Sequence, residues 1–208
     1  MSLKNSYTLV LFILLADQCS KIYVKTHFLY QEQVEIFSWF RLLFIENRGA
    51  AWGTQLSDFL PVSEDIAKLG LTLFRIVAII GIAVWMSRSS TSKHRSPLLS
   101  TSISLIFAGA LGNLIDSIFY GQLFSESTPY RLAQFAWNTP KGGYEAFFYG
   151  RVVDLFYFPI IDAQWPEWVP MLGGRAFRFF EPVFNVADSA ISLGIFILIA
   201  FNKRVFKS

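Results

Sequence analysis

The sequence predicts an α-helical membrane protein with four transmembrane helices, a small extracytoplasmic β-sheet and a short surface helix. Three observations lead to this fold class. Of the 208 residues, 53% are hydrophobic and only 16% are charged, whereas soluble domains carry roughly 25% charged residues. Four segments are long and apolar enough to cross a bilayer as helices. The two long connections between them contain runs of aromatic and β-branched residues, which are typical of strands.

The four predicted spans and the segments between them account for nearly the whole chain. The spans cover about residues 7–25, 67–86, 98–120 and 183–201. The two long connections, about 26–66 and 121–182, form the predicted outer segments. A chain of this length predicts one membrane-embedded domain over residues 1–208. The single cysteine excludes an internal disulfide and a cysteine-cluster metal site.

The first span begins like a signal sequence that ends at a lipidated cysteine. In LFILLADQCSK (11–21), an apolar run precedes Cys19. A cleavage site needs small side chains before the cysteine, but Asp17 and Gln18 stand there. The segment is therefore predicted to be retained as a membrane helix, with Cys19 an ordinary small residue of it.

Lysine and arginine in the short flanks predict the orientation of the spans. The N-terminus, the 87–97 loop and the C-terminal tail contain no acidic residue and seven basic ones: Lys4, Arg88, Lys93, Arg95, Lys203, Arg204 and Lys207. The two long connections spread seven basic residues over about 103 positions. Both termini are therefore predicted to be cytoplasmic and both long connections outside. The excess of basic residues is thereby explained as an orientation signal, without a nucleic-acid partner.

The outer segments contain signals for strands and for one helix. QVEIFSWFRLLFIENRGAAWG (33–53) is rich in β-branched and aromatic residues and predicts strands, with Gly49 and Gly53 at turns or close backbone approaches. SDFLPVSEDIAKLG (57–70) predicts a short surface helix that leads into the second span, with Ser63 as its cap. Residues 122–149 show no periodicity that predicts a regular element.

Polar residues gather toward the outer ends of three spans. The pairs are Asp17 with Lys21, Asn113 with Asp116, and Asn185 with Asp188. Each pair is spaced three or four residues apart and so shares one helix face. Charged groups inside a membrane pair with each other or line a functional site. Small residues in the third and fourth spans, such as Gly109, Gly112 and Ala187, allow the helices to approach closely.

Each pair can be explained by a structural role, without a catalytic one. Asp17 and Lys21 are predicted to form an ion pair that fixes helices, and Asn113 and Asn185 to form hydrogen bonds between helices.

Asp154 is an isolated acid in an apolar, strand-like segment, GRVVDLFYFPI (150–160). Poor solvation there should raise the pKa of its carboxyl. On this segment alone, Asp154 could equally be an acid on an edge strand that faces water. If it approaches Asp188 instead, the two carboxyls share one proton and can activate a water, one as base and the other as acid.

Five stretches resemble, in order, the motifs of the lipoprotein signal peptidases, or signal peptidase II family. They are DQCSK (17–21), NRGAAWG (47–53), GALGNLID (109–116), GRVVDLF (150–156) and FNVADSAISLG (184–194). Members are aspartic peptidases of the bacterial cytoplasmic membrane that cut prolipoproteins before a diacylglyceryl-modified cysteine. The family's fold is four transmembrane helices with an outer β-sheet cradle and a short periplasmic helix.

The resemblance implies which residues form the site. It makes Asp154 and Asp188 the catalytic pair. The predicted supporting or substrate-binding residues are Asp17, Lys21, Asn47, Gly49, Asn113, Asp116, Arg151 and Asn185. It implies an inner-membrane enzyme that needs no metal or cofactor. Its expected partners are diacylglyceryl-modified prolipoproteins and membrane lipid, with the site toward the periplasmic face and the protein acting as a monomer.

The chain departs from the family's pattern in two places. The family usually carries an arginine directly after the acid that Asp116 matches, but Ser117 stands here. Arg151, close to Asp154 in the sequence, is the candidate to replace that guanidinium. The link between the third span and GRVVDLF is also longer, by an insertion at about residues 122–149, which is expected to cap the site or contact a partner.

Three other functions are considered from the sequence. A cysteine peptidase would pair Cys19 with a histidine, but His27 lies about 12 Å along the same helix and His94 is on the predicted cytoplasmic side. An ion-coupled transporter also uses membrane acids, although its site usually lies near the midplane between internal repeats. A membrane scaffold would use the aromatic outer segment but gives the two acids no role.

Overall fold

Three long apolar helices and a small antiparallel sheet make up most of the fold. The computed structural model describes residues 1–47, 63–91, 96–159, 161–164, 166–171, 173–179 and 182–206. The long helices are α1 (Leu3–His27), α2 (Glu64–Thr91) and α3 (Pro97–Ile115). α3 continues through a π-helical turn (Asp116–Tyr120) into the short α4 (Gly121–Leu123). Within the described ranges, these three helices are long and apolar enough to cross a membrane.

The fourth predicted span is shorter than expected. Its helix, α5 (Val186–Ala200), has 15 residues and is followed by α6 (Asn202–Val205). Residues 183–185 were predicted to be helical, and this is wrong. Val183 and Phe184 form a strand, because they pair with Tyr157 and Phe156, and Asn185 is the N-cap of α5. Fifteen residues rise about 22 Å, so the fourth transmembrane helix stays a prediction.

The sheet carries strands from both outer segments. Its order is β1-β2-β3-β6, and each pair is antiparallel. The strands are β1 (Gln33–Phe37), β2 (Phe40–Asn47), β3 (Val152–Tyr157) and β6 (Val183–Phe184). A separate hairpin joins β4 (Ile161–Gln164) to β5 (Ala176–Phe179). The strands predicted within residues 33–47 and around Asp154 are confirmed. Asp154 pairs with Ile45 of β2 and is buried, so it does not face water, and that interpretation is wrong.

The surface helix is not separate from the second span in the described part of its range. Residues 64–70 form the first turns of α2. Ser63 caps this helix as predicted, since its hydroxyl accepts a hydrogen bond from the Ile66 amide at 3.4 Å. Residues 57–62 of the predicted surface helix lie outside the described residues.

α3 packs against α1, α2 and α5 and forms the centre of the helical layer. Small residues permit the contact with α5. A Cβ added at Gly109 would lie 2.2 Å from the Ala187 carbonyl oxygen and 2.7 Å from Ile191 Cγ1. A Cβ added at Gly112 would lie 3.2 Å from the Ala187 Cβ on α5 and 2.7 Å from Asp17 Oδ2 on α1. The backbones of α3 and α5 therefore approach at a distance that only glycine allows.

Gly109→Ala is expected to lower the free energy of unfolding by about 1–3 kcal/mol, because the new methyl group meets the backbone of α5 rather than a flexible side chain. Thermal unfolding in detergent measures the change. Gly81→Ala is the matched control: a Cβ there meets nothing within 4 Å, and alanine favours the helix by about 0.5–1 kcal/mol. Equal melting temperatures for the two variants would contradict the close packing of α3 on α5.

Residues 122–149 contain little regular structure but are anchored by a buried cation. Lys25 is fully buried, and its Nζ donates to Glu46 and to the Ser127 hydroxyl, the latter at 3.0 Å. The same ammonium lies 4.9 Å from the ring centre of Tyr144. The insertion is thereby tied to α1 and β2 through a charge that would be costly to bury alone.

Candidate active site

Lys21 joins α1 to α3 at the centre of a buried polar cluster. Its Nζ lies 2.9 Å from Asp17 Oδ2 and 2.9 Å from Asp116 Oδ2. It also donates to Asn113 Oδ1 at 2.9 Å. All three side chains of the ion pairs are fully buried. An ammonium has three N–H donors, so Lys21 uses all of them here. The predicted ion pair between Asp17 and Lys21 is present, and it extends to Asp116.

Asp17 also holds the start of α5. Its Oδ1 accepts a hydrogen bond from the Ala187 amide at 2.9 Å. The first amides of a helix have no partner within the helix, and their dipoles favour negative charge. The carboxylate therefore satisfies one of these amides and fixes the beginning of α5 against α1.

Gln18 is a member of the cluster that the sequence reasoning did not assign. Its Nε2 donates to Asp17 Oδ2 and to Asp116 Oδ1, both at 3.0 Å. Its Oε1 accepts from the Tyr120 hydroxyl at 3.1 Å. The position next to Asp17 on an otherwise apolar span was the available signal.

Asp116 connects the helices to the sheet. It begins the π-helical turn that ends α3, a feature often found at functional sites. Its Oδ2 accepts from the Val153 amide at 3.3 Å. This contact positions β3 directly beside Asp154.

Asn185 brings Asp154 and Asp188 together. Its Nδ2 donates to Asp154 Oδ1 at 2.8 Å, and its backbone amide donates to Asp188 Oδ2 at 3.3 Å. The Asn185 side chain in turn accepts from the Asp188 amide at 2.9 Å, which completes a capping box at the start of α5. Each carboxyl therefore lies one hydrogen bond from the same residue.

Each of the two acids has one further amide partner. Asn47, at the end of β2, donates to Asp154 Oδ2. Asn113, on α3, donates to Asp188 Oδ1 at 2.7 Å. Asn185 Nδ2 also donates to Asn113 Oδ1 at 3.3 Å. The predicted hydrogen bonding between helices by Asn113 and Asn185 is therefore present.

The two carboxyls differ in exposure. Asp154 is 5% exposed, whereas Asp188 is only partly buried. Burial raises the pKa of Asp154, and the charge of Asp188 raises it further. The charge of Lys21 and the hydrogen bonds from Asn47 and Asn185 oppose this rise, and the resulting pKa is about 8. Asp154 therefore keeps its proton at neutral pH.

Comparison with known proteins gives the family. A family model described as signal peptidase (SPase) II matches residues 9–203. The chain belongs to the signal peptidase II family. A lipoprotein signal peptidase of Porphyromonas gingivalis is 44% identical over 198 residues, which are 94% of this chain and 81% of that protein. One from Amoebophilus asiaticus is 34% identical over 203 residues, 95% of this chain and 77% of that protein.

A solved structure supports the fold. It is described as a bacterial membrane enzyme and superposes with a TM-score of 0.59 at 22% identity. The match covers 99% of this chain and 92% of that one. The family model and the two relatives confirm the resemblance to signal peptidase II that the five motifs gave.

Arg151 does not contact the two acids within the described structure. Its guanidinium donates to Glu126 at 2.8 Å, lies 3.6 Å from Glu46 and stacks on Tyr144. It therefore belongs to the anchor of the insertion, and the expectation that it replaces the family's arginine at position 117 is not met. Gly49 lies outside the described residues.

Two basic residues of α2 instead face Ser117 in this signal peptidase II member. Arg75 Nη1 donates to the Ser117 hydroxyl at 3.2 Å, and Lys68 Nζ lies 3.5 Å from it. Neither residue is among the predicted site residues. The signal was available, because Lys68, Thr72 and Arg75 are polar at helical spacing in an otherwise apolar span.

Cys19 lies on the exposed side of α1. His27, on the same helix, stacks on Tyr23 with the ring centres 4.6 Å apart. In the described part of the chain, no group of three or more His, Cys, Asp or Glu residues is placed to hold a metal ion.

Proposed function

We propose that this signal peptidase II member is a membrane aspartic endopeptidase that removes signal peptides from prolipoproteins, cutting before a diacylglyceryl-modified cysteine. One observation carries the proposal: Asn185 donates one hydrogen bond to Asp154 and another to Asp188, so the two carboxyls lie on either side of one residue. The relatives from Porphyromonas gingivalis and Amoebophilus asiaticus, both named lipoprotein signal peptidase, support the choice of substrate.

The mechanism uses a water held between the two carboxyls. The ionised Asp188 takes a proton from the water as its oxygen attacks the scissile carbonyl carbon. The protonated Asp154 donates a hydrogen bond to the oxyanion that develops. When the C–N bond breaks, the leaving nitrogen takes a proton from the pair. No covalent enzyme intermediate forms.

The proposed setting is the bacterial inner membrane, with α5 and α6 together making the fourth transmembrane helix. Both termini are cytoplasmic, and the site lies toward the periplasmic face. The outward sides of the helices support a lipid environment, since large apolar residues such as Phe12, Phe74 and Ile199 are each about 70% exposed. The substrate's acyl chains would lie beside these helices in the outer leaflet. The enzyme acts as a monomer.

We expect activity to fall as pH rises above about 8, because the carboxyl of Asp154, with a pKa of about 8, is then ionised and no longer donates a hydrogen bond. kcat/KM should drop about tenfold per pH unit beyond that point. A profile between about pH 6 and 10 on a lipidated substrate measures this. Full recovery after return to neutral pH is the control for unfolding, and a flat alkaline limb would contradict the role of Asp154.

The function is tested with two prolipoproteins of identical sequence, one with a diacylglyceryl group on its cysteine and one without. The purified protein in detergent should cut only the lipidated one, before the modified cysteine. Mass spectrometry of the products identifies the cut bond. Cleavage of both substrates would remove the lipid requirement. Cleavage of neither would reject the peptidase and leave the transporter and scaffold interpretations.

A further inference from the structure

The site contains more carboxyl groups than the single ammonium of Lys21 can balance. Asp17, Asp116 and Asp188 face the cluster together with Asp154. The Lys21 ammonium pairs with Asp17 and Asp116. Even when Asp154 carries a proton, three carboxylates surround one ammonium. An excess of negative charge in a low-dielectric site is costly unless a second cation lies nearby.

Lys21 has no N–H left to donate to Asp188, because its three donors already serve Asp17, Asp116 and Asn113. The hydrogen bonds described at Asp188 come from the neutral amides of Asn113 and Asn185. These dipoles orient the carboxylate but do not cancel its charge.

Arg75 presents a guanidinium to this side of the cluster. It donates to Ser117, which is fully buried and follows Asp116 directly. Its charge interacts with those of Asp188 and Asp116. A planar guanidinium reaches a hydroxyl and a carboxylate at the same time more readily than an ammonium does. Arg75 thus brings a second positive charge to the residue that follows Asp116.

The face of α2 that carries Arg75 is fixed against the site. Lys68 lies 3.5 Å from the same Ser117 hydroxyl, and Thr72 donates to the Phe148 carbonyl at 3.2 Å. On the opposite side of the helix, Phe74 and Val77 are exposed. The basic residues of this span therefore occupy its one polar face, and that face turns toward the acids.

We propose that Arg75 is a positioning residue of the catalytic pair: its guanidinium, delivered by α2 and held by Ser117, keeps Asp188 ionised as the base while Asp154 keeps the proton. This inference rests on the proposed peptidase function. It assigns to a different helix the positive charge that position 117 does not supply in this chain.

The test compares pH profiles of kcat/KM for Arg75→Gln, Arg75→Lys and Ser117→Ala on the lipidated substrate. Other charged or titratable groups face Asp188 and Arg75. They are Asp154 on β3, Asp116 after α3, Asp17 and Lys21 on α1, and Lys68 on α2. For Arg75→Gln we expect the acidic limb of the kcat/KM profile to shift to higher pH by about one unit or more, because a proton then binds the base without opposition from a cation.

The other variants separate charge from structure. Arg75→Lys should keep the acidic limb near its wild-type position, since the charge remains. Ser117→Ala should move it in the same direction as Arg75→Gln but less, because the guanidinium is present but no longer held. Arg151→Gln is the matched control, as it removes a guanidinium that contacts Glu126 and Tyr144, and its acidic limb should stay in place.

An acidic limb that is unchanged in both Arg75→Gln and Ser117→Ala would overturn the inference. So would an equal loss of activity at every pH in Arg75→Gln and Arg75→Lys, which is what a purely structural role produces. If Arg75→Gln does not fold, the acidic limb of Ser117→Ala alone decides: an unchanged limb overturns the inference, and a shift to higher pH supports it. Failure of the wild-type protein to cut the lipidated substrate would instead reject the proposed function itself.

Discussion

Asp154→Asn and Asp188→Asn are each expected to reduce cleavage of a lipidated prolipoprotein by about a thousandfold or more. An amide of the same shape neither takes a proton from water nor returns one to the leaving nitrogen. Single-turnover cleavage in detergent measures the chemical step apart from product release. Full turnover by either variant would contradict the assignment of the pair.

Folding is controlled separately for these two variants. Asp154 accepts hydrogen bonds from Asn47 and Asn185. An asparagine in its place points its own NH2 group at one of these donors, which should lower the free energy of unfolding by about 1–3 kcal/mol. Both variants should nevertheless remain folded in thermal unfolding. Glu126→Gln is the matched control, because Glu126 is an exposed acid that pairs with Arg151. It should cleave at the wild-type rate.

Lys21→Met is expected to lower the free energy of unfolding by about 3–5 kcal/mol, because Asp17 and Asp116 then remain fully buried without their shared cation. Thermal unfolding of the purified protein in detergent measures this loss. Lys4→Met, at an exposed position near the start of the same helix, should leave the melting temperature unchanged.

A combined variant tests the physical cause. Lys21→Met with Asp17→Asn and Asp116→Asn removes the charges together, so part of the lost stability should return. If Lys21→Met melts like the wild type, the cluster is not held by this cation. If the combined variant melts lower than Lys21→Met, the loss comes from packing rather than from charge.

The gathering of polar residues at one level was predictable from the sequence. Apolar runs set the approximate bounds of the first three helices, and the spacing of three or four residues put each polar pair on one face. The pairs at Asp17 and Lys21, Asn113 and Asp116, and Asn185 and Asp188 do meet.

Other features depend on tertiary contacts that local sequence does not contain. Residues 183–185 continue an apolar run, and only pairing of Phe184 with Phe156 makes them a strand and a cap. Hydropathy does not separate a short strand from a first helical turn. Arg75 and Lys68 lie on a span with no acid of its own in the membrane-crossing part, so their role appears only when α2 packs on α3.

The capping box at the start of α5 has a consequence for biosynthesis. Ala187 binds Asp17 across 170 positions of sequence, and Asn185 bridges the two acids in the same turn. The site therefore combines a side chain of α1 with the cap of α5, which is synthesised much later. A partly synthesised chain holds Asp154 but neither Asp188 nor the residue that aligns the pair. With the proposed catalytic pair, proteolytic competence is expected to arise only when α5 docks.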